Sequence, residues 1–200
     1  MIKKIAIISL IIIVTIYFVL NKNQNNENIN LNQGSIILAF GDSLTYGYGV
    51  SKEFSYPAQL EKKSGFVVIN AGISGEISSD GLKRLPSLLK NKPELVILCH
   101  GANDILRKLP LDATKNNLLK MIELIRGSGA KVLLVGVPSF SIFGINTHPL
   151  YRDVADESGV VYEAEIVAFV ESDSSLKSDR IHPNALGYEM MADKFLTFLK

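Results

Sequence analysis

Four short polar clusters in this chain carry residue types able to act together on an acyl carbonyl. They are Gly41-Asp42-Ser43-Leu44-Thr45, Asn70-Ala71-Gly72-Ile73-Ser74-Gly75, His100-Gly101-Ala102-Asn103-Asp104 and Asp179-Arg180-Ile181-His182-Pro183. Cleaving an ester or thioester requires a nucleophile, a base for its proton and donors for the oxyanion. Ser43 offers a hydroxyl, and His182 an imidazole to take its proton. Asp179 stands three residues before His182, within reach of the second ring nitrogen. A carboxylate there fixes the tautomer and stabilises the imidazolium. The N–H groups of Ser43 and Gly72 and the side-chain amide of Asn103 offer the oxyanion donors. Glycine suits position 72 because a residue without a Cβ lets backbone approach a substrate closely.

Each of these residues, taken singly, has a plainer use. A lone Ser43 caps a helix, and His182-Pro183 opens one, proline being favoured in the first turn. Asp179 can pair with Arg180, Asn103 can bridge a turn, and Gly72 can serve as a turn glycine. Asp42 reads as a structural partner of loop backbone, and Cys99 as inert core. His100 and His148 sit in no metal-ligand pattern. What favours chemistry is that all four clusters follow apolar runs or precede a helix, so one fold can bring them to one face.

The elements that would do so are legible. Ile36 to Phe40, Phe66 to Ile69, Leu95 to Cys99, Val132 to Val137 and Val160 to Tyr162 are continuous apolar runs, the pattern of strands buried on both faces. Helical stretches lie between and after them at about 56–64, 78–91, 112–128, 148–158 and 184–199. In the third, Leu118, Leu119, Ile122 and Ile125 recur at spacings of three and four, and Gly127 and Gly129 end the helix. Such alternation predicts a three-layer α/β fold with a parallel sheet. Ligands bind such sheets beyond the carboxyl ends of the strands, where the polar clusters fall.

Composition narrows the function classes. Lys+Arg (21) and Asp+Glu (20) nearly cancel, which argues against a protein that neutralises nucleic-acid phosphates. The single cysteine excludes an intramolecular disulfide framework and a multi-cysteine zinc site. No cofactor and no metal is expected, and no Arg or Lys cluster marks a phosphate or coenzyme A site. An apolar acyl groove is expected from residues near the polar clusters: Leu44, Ile73, Leu109, Phe140, Phe143 and Ile181, with Pro110, Ile142 and Ile145 as neighbours. Apolar burial at roughly 0.8 kcal/mol per methylene favours medium acyl chains over acetyl in such a groove.

Ahead of the domain, Lys3 and Lys4 precede an uncharged run from Ile5 to Leu20. As a helix it reaches roughly 24 Å, a little short of the hydrocarbon layer. The run ends without the small residues of a cleavage site, so an uncleaved anchor is preferred to a cleaved signal or a buried helix. The lysines put the N-terminus inside and the rest at the extracytoplasmic face of a cytoplasmic membrane, or free beyond it if cleaved. Residues 1–20 are thus read as anchor or signal, 21–34 as a flexible polar linker, and 35–200 as the functional domain, a monomer.

Phe40-Gly41-Asp42-Ser43-Leu44 resembles the opening block of the SGNH, or GDSL, hydrolases. Asn70-Ala71-Gly72, Gly101-Ala102-Asn103-Asp104 and Asp179-Arg180-Ile181-His182-Pro183 resemble the family's other blocks, in order and at similar spacings. The stretches at 70–75, at Leu82-Lys83-Arg84-Leu85-Pro86 and at Lys92-Pro93-Glu94-Leu95-Val96-Ile97 are similar to the branch containing bacterial thioesterase I, protease I and lysophospholipase L1. The resemblance spans nearly all of 35–200. It implies a flavodoxin-like five-stranded parallel sheet in order 2-1-3-4-5, a triad of Ser43, Asp179 and His182, and Gly72 and Asn103 as oxyanion partners of the Ser43 amide. It also implies activity on acyl esters and thioesters, small-molecule or lipid, through an acyl-enzyme, and a 75–80 loop that moves when a fatty chain binds. Cys99-His100 departs from the family pattern and sets His100 where it would crowd the oxyanion site or alter its electrostatics. Two other readings stay open: a carbohydrate or peptidoglycan O-acetylesterase, and a non-catalytic acyl- or glycan-binding module.

Overall fold

The computed structural model describes residues 28–141 and 144–200. The expected anchor, residues 21–27 of the expected linker, Ile142 and Phe143 lie outside them, as does the side chain of Phe140. Five parallel strands form the central sheet: β1 (Ile36–Gly41), β2 (Val67–Gly72), β3 (Leu95–Cys99), β4 (Lys131–Val135) and, after an intervening hairpin, β7 (Val161–Glu163). Their order, β2-β1-β3-β4-β7, is the one the resemblance implies, β7 being the fifth strand of this sheet. β3 is buried along its whole length and β1 at all but its first residue, as continuous apolar runs require. β2, at the edge, is buried only at Val68 and Ala71.

Eight α-helices accompany the strands among the described residues: α1 (Ser43–Tyr46), α2 (Tyr56–Ser64), α3 (Ser78–Leu88), α4 (Ala102–Leu106), α5 (Leu111–Gly127), α6 (Leu150–Ser158), α7 (Ile166–Ser172) and α8 (Ala185–Leu196). α2 packs with α8 and α8 with α7; α3 packs with α5 and α5 with α6. These two sets are the outer layers that right-handed crossovers produce. The buried apolar side chains of α5, among them Leu118, Met121, Ile122 and Ile125, fall on one stripe, which is why that segment is a helix. No described helix is long and apolar enough to cross a membrane.

Three features differ from the sequence expectation. β4 stops at Val135, although Gly136 N–H still donates to Glu163 O at 2.8 Å; from Pro138, which has no N–H to offer a ladder, the chain forms an antiparallel hairpin, β5 (Pro138–Ser141) with β6 (Gly144–Thr147). α7 arises from a β-branched run, Ile166-Val167-Ala168-Phe169-Val170, whose local preference is not helical. The Glu163 carboxylate fixes its start by accepting from the N–H groups of Glu165 (3.1 Å) and Ile166 (3.0 Å). Finally, part of the expected linker is docked. Ile29 is buried, its N–H donates to Phe198 O at 2.7 Å, and Lys200 N–H donates back to Ile29 O at 3.0 Å. Leu31 N–H donates to Lys200 O at 2.7 Å, so packing begins at Ile29 rather than near Ser35.

Register carries the fold into the site. Gly41, the last residue of β1, pairs with Gly72 of β2 on one side and Cys99 of β3 on the other. β2, β1 and β3 therefore end level, and the loops after them emerge at one rim.

Candidate active site

Asp42 leaves β1 and caps α1, its buried Oδ1 accepting from Leu44 N–H at 3.2 Å. Ser43 thereby becomes the first helical residue, with an N–H that has no intrahelical acceptor. Gly41 has no room for a side chain, since a Cβ would stand 2.1 Å from Cys99 O and 2.3 Å from Thr45 Oγ1. Burial pushes the Asp42 carboxyl up, with His100, the N–H groups of Leu44 and Ala102, and His182 pulling the other way. Enclosed and capping, Asp42 has the structural part expected of it.

The loop before α8 supplies the other two groups. Asp179 Oδ1 accepts from the N–H groups of Ile181 (2.9 Å) and His182 (2.8 Å), while Oδ2 bonds His182 Nδ1 at 2.7 Å. His182 Nε2 lies 3.0 Å from Ser43 Oγ. One carboxylate therefore folds the turn and orients the ring. Burial pushes the Asp179 carboxyl up, but the Ile181 N–H and the two His182 donors outweigh it and leave it below the usual range. The Tyr48 ring packs on the imidazole with centroids 4.4 Å apart, and Tyr188 Oη holds the Tyr48 carbonyl at 3.0 Å.

Ser43 and His182 open on a cavity of about 250 Å³. Leu44 and Ile181, expected at the acyl groove, line it, together with Tyr48, Ser74, Gly75, Ala102, Asn103, Leu106, Pro138 and Glu171. Ile73 and Leu109 do not; Ile73 is exposed and Leu106 takes the place expected of Leu109. A larger, more open depression of about 630 Å³ lies among β6, α6 and α7 and contains none of the clustered polar residues. Among the described residues no group of three or more His, Cys, Asp or Glu is arranged to hold a metal. Cys99 is buried and its thiol is pushed well up by that burial, consistent with inert core.

The expectation for Gly72 requires correction. Its N–H donates to Asn70 Oδ1 at 3.0 Å, and it is not on the cavity wall. A Cβ at Gly72 would stand 2.1 Å from Tyr46 N, so this glycine admits the backbone of α1, not a substrate. Gly75 is the glycine on the wall, held at φ +79°, and its N–H makes no hydrogen bond among the described residues. Asn103, on the same wall, donates through Nδ2 to Glu76 O at 3.0 Å, which leaves its second amide hydrogen.

A buried ionic cluster holds this donor side. Arg84 Nε and Nη2 each lie 2.6 Å from a Glu76 carboxylate oxygen, and Nη2 also donates to Ala71 O (2.8 Å) and Gly41 O (3.3 Å). His100 Nδ1 accepts from Gly101 N–H at 2.9 Å, so Nε2 carries the proton toward Glu76 Oε2 at 3.0 Å. Burial pushes the Glu76 carboxyl up, but His100 and Arg84 prevail and hold it below the usual range. His100 therefore does not crowd the cavity: it lies behind the loop, where Gly81 makes room for it, a Cβ there falling 2.3 Å from Nε2. Arg107 Nη2 holds the Gly75 carbonyl at 2.8 Å. Opposite charges at 76 and 84 were visible in the sequence, but only the fold pairs them.

Residues 39–190 match the GDSL-like lipase/acylhydrolase family. Over 158 residues the chain is 34% identical to an arylesterase of Vibrio mimicus, covering 74% of this chain and 79% of that one. Over 165 residues it is 31% identical to thioesterase 1/protease 1/lysophospholipase L1 of Escherichia coli strain K12, covering 78% and 79%. The crystal structure of TesA superposes with a TM-score of 0.73 at 30% identity, covering 82% of this chain and 97% of that chain.

Proposed function

The chain belongs to the GDSL-like lipase/acylhydrolase family, and from that premise we propose that it is a serine hydrolase of carboxylic esters and thioesters working through an acyl-enzyme. The observation that carries the reading is the unbroken chain from Ser43 Oγ to His182 Nε2 (3.0 Å) and from His182 Nδ1 to Asp179 Oδ2 (2.7 Å). In this reading Ser43 Oγ attacks the carbonyl carbon while Nε2 takes its proton. Asp179 keeps the other ring nitrogen protonated and stabilises the imidazolium. The oxyanion is received by the N–H groups of Ser43 and Gly75 and the free hydrogen of the Asn103 amide. His182 then protonates the departing alcohol or thiol, and the acyl group stays on Ser43. Water, deprotonated by the same imidazole, attacks the acyl-enzyme and releases the acid, returning the proton to Ser43.

Leu44, Leu106, Pro138 and Ile181 on the cavity wall support an acyl chain longer than acetyl as the preferred substrate. A p-nitrophenyl ester series from acetate to laurate, run beside Ser43→Ala, tests both proposals. Activity rising beyond acetate and vanishing in the variant is expected. A steady decline beyond acetate would point to a deacetylase, and an intact Ser43 after fluorophosphonate treatment to a binding module. For location, we propose from Lys3, Lys4 and the run to Leu20 that residues 1–20 anchor the domain at the extracytoplasmic face. Mass spectrometry of the native N-terminus decides between retention and cleavage.

A further inference from the structure

Glu171 sits near the end of α7, only 3% exposed, on the wall of the cavity that Ser43 and His182 open onto. Its carboxyl makes no hydrogen bond among the described residues, and Oε2 is wholly enclosed without a partner. Buried polar side chains are nearly always hydrogen-bonded in native proteins, because an unmet donor or acceptor is costly. This one is enclosed by the cavity that holds the reacting hydroxyl, and the ionic cluster behind Gly75 does not reach it. The mechanism makes no use of it.

Burial, then the Asp42 charge, push this carboxyl up to about 8, with Lys177 opposing and Asp179 adding to the rise. Cys99 and Tyr188 complete the titratable groups that sense it. At neutral pH Glu171 is thus mainly a neutral acid, with one O–H to donate and one carbonyl oxygen to accept.

We infer that Glu171 is a specificity-determining residue that donates a hydrogen bond to an oxygen carried by the acyl chain, so that oxygenated acyl groups are preferred over plain alkyl ones. The inference rests on the acyl-enzyme reading, since the group covalently held on Ser43 Oγ is the one that fills this cavity. A saturated chain passing the carboxyl leaves it unmet; an ether, hydroxyl or carbonyl oxygen at the same depth satisfies it.

Two isosteric pairs of p-nitrophenyl esters test this: methoxyacetate against butyrate, and (2-methoxyethoxy)acetate against heptanoate. The ratio of kcat/KM within a pair is compared among the parent, Glu171→Leu and Glu171→Gln. The intrinsic activation of an alkoxy ester enters the ratio equally in all three enzymes and cancels when their ratios are compared. We expect the ether-to-alkyl ratio of at least one pair to fall about tenfold in Glu171→Leu, the value of one hydrogen bond. In Glu171→Gln, whose amide still donates, the ratio is kept. Ionisation turns the acid into an acceptor that repels the ether oxygen, so the parent's ratio falls as pH rises through about 8, whereas that of Glu171→Gln stays flat. Ratios in Glu171→Leu within about twofold of the parent for both pairs, or a parent ratio flat across this range, overturn the inference. If Glu171→Leu does not fold, the pH comparison decides alone. A fully active Ser43→Ala would instead overturn the catalytic reading, and is told apart from flat ratios in an enzyme that Ser43→Ala silences.

Discussion

The two halves of the site are built on opposite plans. The half that would move protons is local and open: Asp179 and His182 share one turn, and their side chains keep 42% and 12% of their exposure. The half that would hold the oxyanion is assembled from β1, β3, α3 and the 75–76 loop, around Glu76 and His100 side chains at 6% and 0% exposure. A turn that folds itself can stand in solvent, because every hydrogen bond of the Asp179 carboxylate is made over three residues or fewer. Donors on a loop have no such local support. Here the support is ionic, buried and indirect, running from Arg84 and His100 through Glu76 to the amide of Asn103.

The sharpest way to break this contrast is to remove the nucleophile. Ser43→Ala should lower kcat by at least about 10⁴-fold with the fold intact, measured by ester turnover beside circular dichroism. On the donor side, Asn103→Ala should lower kcat by about 10²–10³-fold with little change in KM. Gly72→Ala should appear instead in thermal denaturation, with a loss of about 3 kcal/mol or more from collision with the Tyr46 backbone. If it lowers kcat like Asn103→Ala while leaving Tm alone, the assignment of the donor to Gly75 is wrong.

Glu76→Gln weakens the cluster without touching substrate, and kcat should fall about 10-fold as the loop loosens. The same variant has a pH signature. The folded-state carboxyl of Glu76 lies below its unfolded value, so its contribution to stability is complete above about pH 4.3 and is lost as pH falls through the folded value. The Tm of Glu76→Gln should therefore decline less between about pH 5 and pH 3 than that of the parent. An equal decline would mean that the carboxylate adds nothing to the fold. Smallest of all, Tyr48→Leu should change kcat only about threefold, because the ring packs on an imidazole already fixed by Asp179. A loss as large as that of Asn103→Ala would assign the ring a larger share in orienting His182.

The same contrast explains what could be read without coordinates. Ile37, Leu38, Val96 and Leu133 belong to uninterrupted apolar runs, so the strands and their order of appearance were plain. Ser43, His182 and Asp179 were legible because each falls beside a strand end or a helix entry, and the last two are sequence neighbours. Gly72 and Gly75 were not separable: both follow the same apolar run, and only backbone geometry, one glycine pairing in β2 and the other at φ +79°, tells them apart. His100 stood out by its type, yet its partner is 24 residues earlier, beyond any local rule. α7 was missed because its helix is set by Glu163 and by packing, against the preference of Ile166, Val167 and Val170. For Ile29 a signal existed: with Leu31 it alternates through an asparagine-rich stretch, a two-residue period that fits the bridge to Leu199.

Ile29 to Leu31 lie beside Lys131, whose Nζ holds Asn30 O, at the amino-terminal edge of β4, while Ser43 stands at the opposite edge of the sheet, roughly 20 Å along β1. The described chain therefore begins at the back of the molecule, away from the cavity. The point where the described chain enters the domain and the mouth of the cavity thus lie at opposite ends of the central strands.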